Sequence, residues 1–303
     1  MNKLETLQPQ HLLEWVKLAQ QKASFGKTPD YIPLLHQTDP QLFSASILTL
    51  NHQTYSLGNS ELTFPLMSVI KPFLLFYVLS HLGTETVFKR VGNQPSDYPF
   101  NALEQLIADG GFPRNPMINS GAITLASLLP GKDGIECGES LRLWLNQWGN
   151  CQLFLDRLML ESVQSLPNPR NQALLQELSA KGSLKNPQLA LNTYNYICCL
   201  AGNTIDLARL GLLLINPPSP LQKDHCQIVQ NLMITCGLYE SSREFAQRVG
   251  LPTKSGVSGA VLSIVPEQGA IACYSPPLDQ RGNSLAGLFL VEEIAKAIFC
   301  SLG

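Results

Sequence analysis

Apolar residues recur every three or four positions between residues 10 and 22, where Leu12, Trp15, Val16 and Ala19 share one face. That period predicts an amphipathic helix, with Pro9 suited to its first turn. Gly26 and Pro29 break the pattern. Further on, Ser46-Ile47-Leu48-Thr49-Leu50 and Thr54-Tyr55-Ser56-Leu57 flank the polar Asn51-His52-Gln53 and predict two short strands around a turn. Residues 66–82 are mostly apolar and too long for one strand, which predicts a buried helix. Helical periodicity then dominates from about 84 to 250. Leu103, Leu106 and Ile107 fit one helix, and Ala122, Leu125 and Leu128-Leu129 a second. Leu174, Leu175 and Leu178 fit a third, and Ile205 to Leu214 a fourth. Strand signals return at Val261-Leu262-Ser263-Ile264-Val265 and Ala270-Ile271-Ala272-Cys273-Tyr274, around Pro266-Glu267-Gln268-Gly269. Leu285, Leu288, Phe289, Ile294, Ala297 and Ile298 predict a closing helix.

Strands at both ends of the chain most simply share one antiparallel sheet covered by the terminal helices. The expected fold class is α+β, with a sheet subdomain of about 1–66 and 251–303 and an all-helical subdomain of about 67–250. A cleft between the two is the natural place for a small molecule.

Composition narrows the function classes. The 303 residues carry 21 Lys+Arg against 23 Asp+Glu, a net charge of −2, and 45% are hydrophobic. A near-zero charge argues against nucleic-acid binding and against electrostatic attachment to a membrane surface. The longest apolar run, Phe73 to Leu82, is interrupted by Ser80 and His81 and is too short for a bilayer, which needs ~20 apolar residues. The first residues hold no apolar leader, so the expected location is cytoplasmic. Eight cysteines, at 137, 151, 198, 199, 226, 236, 273 and 300, form no Cys-x-x-Cys and have no His at zinc-ligand spacing. They are expected to be reduced and mostly buried. Nothing points to a metal or an organic cofactor.

The buried helix opens with Ser68-Val69-Ile70-Lys71. Positions i and i+3 share a helix face, so hydroxyl and amine can meet. A serine needs a base to become a nucleophile, and a lysine serves once burial lowers its pKa. The ten residues after Lys71 carry no formal charge. Ser68 near a helix start also brings backbone N–H groups to the reacting centre, and Pro72, tolerated only near a first turn, supports that start. Alone, the spacing equally suits a capping Ser and a snorkelling Lys. Lys254-Ser255-Gly256, just before the late hairpin, supplies a second element, because Ser-x-x-Lys enzymes place a Lys-(Ser/Thr)-Gly strand on the opposite wall of the cleft.

Other runs are distinctive: Tyr31-Ile32-Pro33, Phe100-Asn101, Arg114-Asn115-Pro116-Met117-Ile118-Asn119-Ser120-Gly121-Ala122-Ile123, Arg170-Asn171, Gly237-Leu238-Tyr239, Lys254-Ser255-Gly256-Val257 and Gly282-Asn283-Ser284. With these the chain, from about Gly26 to Gly287, resembles the serine-dependent glutaminase family. The resemblance implies a β-lactamase and penicillin-binding-protein-like fold, and hydrolysis of L-glutamine to L-glutamate and ammonia. By match, Ser68 resembles the family's nucleophile, Lys71 its activator, Tyr239 a second proton-transfer residue and Tyr31 a site tyrosine. Asn119, Asn171 and Tyr194 resemble substrate contacts, and Val257 an oxyanion-hole N–H beside that of Ser68. One position departs from the pattern. Seven residues before Asn171, where the family has a Glu toward the substrate ammonium, this chain has Gln164, with Glu161 three residues earlier. The resemblance also implies a homodimer or homotetramer. Two further readings remain: a related serine amidohydrolase or penicillin-interacting enzyme, and a weakly active amino-acid-binding protein.

Overall fold

A computed structural model describes residues 2–299. The chain enters through α1 (Pro9–Ala23), with its proline in the first turn, and a single turn, α2 (Pro33–His36). β1 (Ser44–Thr49) and β2 (Thr54–Gly58) form the first hairpin, and the two-residue β3 (Phe64–Pro65) leads to a 3-10 turn, Met67–Ile70. The long α3 (Lys71–Phe88) follows directly. The helical stretch holds α4 (Leu103–Ala108), α5 (Asn119–Ala126), α6 (Gly134–Gly149), β4 (Phe154–Leu155), α7 (Arg157–Ser165), α8 (Pro169–Ala180) and α9 (Pro187–Cys198). It continues with β5 (Leu200–Gly202), α10 (Thr204–Leu213), α11 (Lys223–Cys236) and α12 (Ser242–Arg248). β6 (Thr253–Ser255), β7 (Ala260–Val265), β8 (Gly269–Tyr274) and α13 (Leu285–Phe299) close the fold.

The two hairpins do share a sheet. Its order is β2-β1-β8-β7-β6, antiparallel throughout, with Ile47 opposite Ile271 where the two ends of the chain join. Every residue of β1, β7 and β8 is buried. Alternation survives in which core each residue enters. Ala45, Ile47, Val261, Val265, Ile271 and Cys273 face α1 and α13, while Leu48, Leu262, Ile264, Ala270 and Ala272 face the larger core. Helices on both faces explain why β7 and β8 read as nearly continuous apolar runs.

The helical stretch is not confined to one side of the cleft. α10 lies on the sheet: a Cβ on its Gly211 would sit 2.5 Å from Ala270 Cβ, so glycine sets the close approach. Ser44 and Ser46 in β1 hydrogen-bond Thr204 at the start of α10, at 3.0 and 2.8 Å. Leu128 and Leu129 fall outside α5, which ends at Ala126 because Pro130 disfavours helix in the residue before it. A small sheet, β3-β5-β4, has strands of two or three residues, too short to leave a periodic trace.

The helix α3 corrects one reading of the sequence. With the 3-10 turn before it, the span Met67–Phe88 is 22 residues at mean hydropathy 1.3, long and apolar enough to cross a bilayer by length and composition. The shorter run Phe73–Leu82 understated it. Here 72% of its most apolar window is buried inside the protein, which makes it the core helix. The seven described cysteines are free and buried; Cys300 lies outside the described residues.

Candidate active site

Ser68 sits in the 3-10 turn, and Lys71 is the first residue of α3. In a 3-10 helix, side chains at i and i+3 eclipse, so the pair is stacked more directly than on an α-helix. Met67 precedes them with φ 46°, a left-handed conformation unusual for a residue with a side chain. β3 and a Leu66 N–H bond of 2.8 Å to the Leu200 carbonyl hold the turn in place.

Lys71 is fully buried. Its Nζ donates to the Met117 carbonyl at 3.1 Å and to Asn119 Oδ1 at 2.8 Å. Burial lowers its pKa to about 8. A neutral amine has two N–H groups and one lone pair. With both N–H groups committed, the lone pair is what remains for a proton. No hydrogen bond joins Lys71 Nζ to Ser68 Oγ among the described residues; in unliganded sites such contacts are commonly loose.

Asn119 is the hub on this wall. Its Oδ1 also accepts from the Tyr194 hydroxyl at 3.0 Å, and its Nδ2 donates to Asn171 Oδ1 at 2.9 Å. The motif around it has a mechanical reason. Asn115, wholly buried, accepts from the Met117 and Ile118 N–H groups at 2.9 and 3.2 Å, turning the chain so that the Met117 carbonyl meets Lys71. Gly121 lets α5 pass Asn115, since a Cβ there would lie 2.0 Å from the Asn115 carbonyl oxygen.

The opposite wall carries Tyr239 and Lys254. Tyr239 opens a 3-10 turn with φ 56°, a second strained residue. Its hydroxyl donates to the Ser255 carbonyl at 3.3 Å. Burial pushes the phenol well above its ordinary range, against a pull downward from hydrogen bonding with Ser68. It is therefore protonated at neutral pH. Lys254, fully buried in β6, donates to the Gly237 and Ser255 carbonyls at 2.9 and 2.7 Å, and its Nζ lies 4.3 Å from the centre of the Tyr239 ring. Burial first and Lys71 second hold its pKa well below the ordinary lysine value.

The two walls touch at Gly256. A Cβ there would approach the Leu66 carbonyl oxygen to 2.7 Å and the Ser68 nitrogen to 3.3 Å. Val257 follows in a tight turn closed by Gly256 N–H to the Ala260 carbonyl at 2.8 Å. Among the described residues, neither the Ser68 nor the Val257 backbone N–H has a protein acceptor.

Ser68, Lys71, Asn119, Asn171, Tyr194, Tyr239 and Val257 are all buried. Tyr31 is different: its ring is 51% exposed, while burial first and Asp30 second push its hydroxyl up to about 12. Its loop is tied to α7 by the Leu34 N–H donating to Ser162 Oγ at 3.0 Å. Gln164 and Glu161 lie on exposed positions of α7, and no hydrogen bond or ion pair links either to the buried cluster. An open groove of about 400 Å³ beside Arg170 and Asn101 lies next to the cluster and holds none of its polar groups. Two neighbours were given no role by the sequence. Phe100 packs on the Tyr239 ring, centres 4.6 Å apart, and its carbonyl accepts from the Asn119 N–H at 2.8 Å. Cys198, one helical turn after Tyr194 in α9, interacts with the Tyr194 hydroxyl.

The chain is similar to known proteins along most of its length. The glutaminase family model matches residues 26–302. A glutaminase from Synechocystis sp. is 48% identical over 284 residues, 93% of this chain and 87% of the relative. The solved structure of a probable glutaminase superposes with a TM-score of 0.88 at 34% identity, covering 98% of this chain and all of the other. A Bacillus subtilis glutaminase, solved as the covalent complex with 5-oxo-L-norleucine formed from 6-diazo-5-oxo-L-norleucine, superposes at 0.86 with 27% identity, covering 97% and 99%. The β-lactamase-like α+β fold, the matched length and these relatives agree: the chain belongs to the glutaminase family.

Proposed function

We propose that glutamine hydrolysis runs in this chain through an acyl-enzyme on Ser68. The observation that carries this reading is a fully buried Lys71, its pKa lowered by burial to about 8, following directly on the turn of Ser68, with the Ser68 and Val257 N–H groups free of acceptors among the described residues. Neutral Lys71 takes the Ser68 proton as Oγ attacks the side-chain amide carbon. The Ser68 and Val257 N–H groups stabilise the oxyanion. As the tetrahedral intermediate collapses, the C–N bond breaks and the leaving nitrogen is protonated. Tyr239, protonated at neutral pH and beside Ser68, is placed to give that proton and recover it from Lys71. Water then attacks the acyl carbon as neutral Lys71 takes its proton, the Ser68 C–O bond breaks with that proton returning to Ser68 Oγ, and glutamate leaves. Asn119 keeps one N–H free and Asn171 two, donors suited to the substrate's α-carboxylate alongside the Tyr194 hydroxyl. Tyr31 stands at the mouth. A cytoplasmic homodimer or homotetramer goes with this reading.

The experiment is covalent labelling. The diazoketone 6-diazo-5-oxo-L-norleucine is expected to modify Ser68, read by peptide mass spectrometry. Modification of a cysteine in place of Ser68 removes the serine mechanism.

Two expectations follow from the same site. Tyr239→Phe should lower kcat by roughly 10²–10⁴, the range of a general acid–base group. The long bond to the Ser255 carbonyl and the contact with Ser68 are lost but the ring stays packed, so Tm should hardly move. A normal kcat removes Tyr239 from proton transfer.

Position 164 tests where the substrate ammonium binds. A charge-assisted hydrogen bond is worth ~1.5–3 kcal/mol against ~0.5–1.5 for a neutral one. An amide in place of a carboxylate should weaken ammonium binding roughly 5–30-fold. The ammonium keeps its charge during amide cleavage, so the loss falls on KM. Gln164→Glu is expected to lower KM with kcat unchanged. If Glu161 supplies the charge, Glu161→Gln raises KM instead. An unmoved KM in both variants places the ammonium away from α7.

A further inference from the structure

We propose that Asn283 is a positioning residue for the glutaminase reaction, clamping the turn that carries Tyr239 to the strand end that carries Ser255 and Val257. The inference rests on Tyr239 as the proton-transfer group. Asn283 is fully buried, and all of its hydrogen bonds fall on these two elements or on its own loop. Its Oδ1 accepts from Ser255 Oγ, and its Nδ2 donates to Ser241 Oγ at 3.4 Å. Ser241 ends the 3-10 turn begun by Tyr239, and Ser255 is the residue whose carbonyl receives the Tyr239 hydroxyl. One amide therefore fixes both the backbone that launches the tyrosine and the acceptor that its hydroxyl finds.

The loop that delivers the amide is itself stiff. Asp279 Oδ1 accepts from the Asn283 and Arg281 N–H groups, each at 2.9 Å, and the Asp279 N–H donates to the Asn283 carbonyl at 2.8 Å. Gly282, at φ +87°, brings the loop against the reacting wall, where a Cβ would lie 3.8 Å from both Tyr239 Cε2 and Val257 Cγ1. Arg281 adds a bond to the same Ser241 hydroxyl at 3.2 Å. The clamp has a physical task. Tyr239 is held at a positive φ that a non-glycine residue leaves readily, and its hydroxyl bond to Ser255 is long. Released, the phenol would drift from Ser68, and displacements of about 1 Å can cost 10²-fold in rate.

The test is a double-mutant cycle read in kcat, KM and Tm. Asn283→Ala is expected to lower kcat about 10–100-fold with little change in KM. In a Tyr239→Phe background the same change should cost nothing further, because the hydroxyl it positions is gone. A merely structural role lowers activity by the same factor in both backgrounds and overturns the proposal. If Asn283→Ala does not fold, Ser241→Ala removes the other end of the clamp and must show the same non-additivity; a normal kcat there overturns it too. A normal kcat in Tyr239→Phe alone removes the Tyr239 reading and this one with it. A slow Tyr239→Phe slowed equally again by the second change removes only the role of Asn283.

Discussion

Ser68→Ala should fold, bind glutamine and release ammonia at least about 10⁴-fold more slowly, a loss of about 5–6 kcal/mol of transition-state stabilisation. The hydroxyl lies in a turn held by backbone bonds, so its loss leaves the Leu66–Leu200 contact and the Gly256 approach in place. Both proposed oxyanion donors are backbone groups and survive. What rate persists should come from them and from binding. The variant should also resist the diazoketone that labels the parent. Steady-state ammonia release and intact-protein mass measure both. A variant within tenfold of the parent would mean that Ser68 forms no bond to the substrate.

Lys71 should give the second large effect. With a pKa of about 8, roughly one molecule in ten carries the neutral amine at pH 7 and half do at pH 8. In the proposed mechanism the neutral form is the base, so kcat/KM should rise close to tenfold per pH unit well below 8 and level off above it. Lys71→Met should lower kcat/KM by about 10⁴ and abolish that limb. Stability should move the other way. The folded pKa lies below the unfolded value of 10.5, so the buried ammonium opposes folding below pH 8, and that penalty fades as pH rises from 8 to 10.5. The cost at neutral pH is about 3 kcal/mol. Methionine removes it while leaving Asn119 Oδ1 its bond from Tyr194. Tm at pH 7 should therefore not fall. A pH limb that persists in Lys71→Met assigns it to another group, with Lys254 next in line.

The parts of this site visible in the sequence are those set by local spacing. Ser68 and Lys71 are three apart on one turn, and Lys254-Ser255-Gly256 precedes a hairpin of two short, nearly continuous apolar runs around Pro266-Glu267-Gln268-Gly269. The paired hairpins could be foreseen because apolar strands at both ends need a common sheet. What stayed hidden depends on residues far apart in the chain. Asn115 stands in a distinctive run, but its task shows only in its bonds to Met117 and Ile118, which aim a carbonyl at Lys71. Phe100 looks like a loop aromatic until it meets Tyr239. The reach of α10 onto the sheet is decided by Gly211 against Ala270, a contact no periodicity encodes. Gln164 was singled out by counting from Asn171, but the outward face of α7 on which it lies follows from how Ser162 is anchored.

The register of the central sheet also governs when this protein becomes an enzyme during its synthesis. Ser44 pairs with Tyr274, and Gly256, beside Ser68, is contributed by the same late part of the chain. At about 5–20 residues per second, the N-terminal hairpin waits on the ribosome for tens of seconds before its partner strand exists. A lone hairpin is at best marginally stable, and the β1 edge that β8 will cover offers unpaired backbone groups to other chains meanwhile. Nascent chains therefore gain folding and glutamine hydrolysis together, once β8 has emerged, and need protection from aggregation until then.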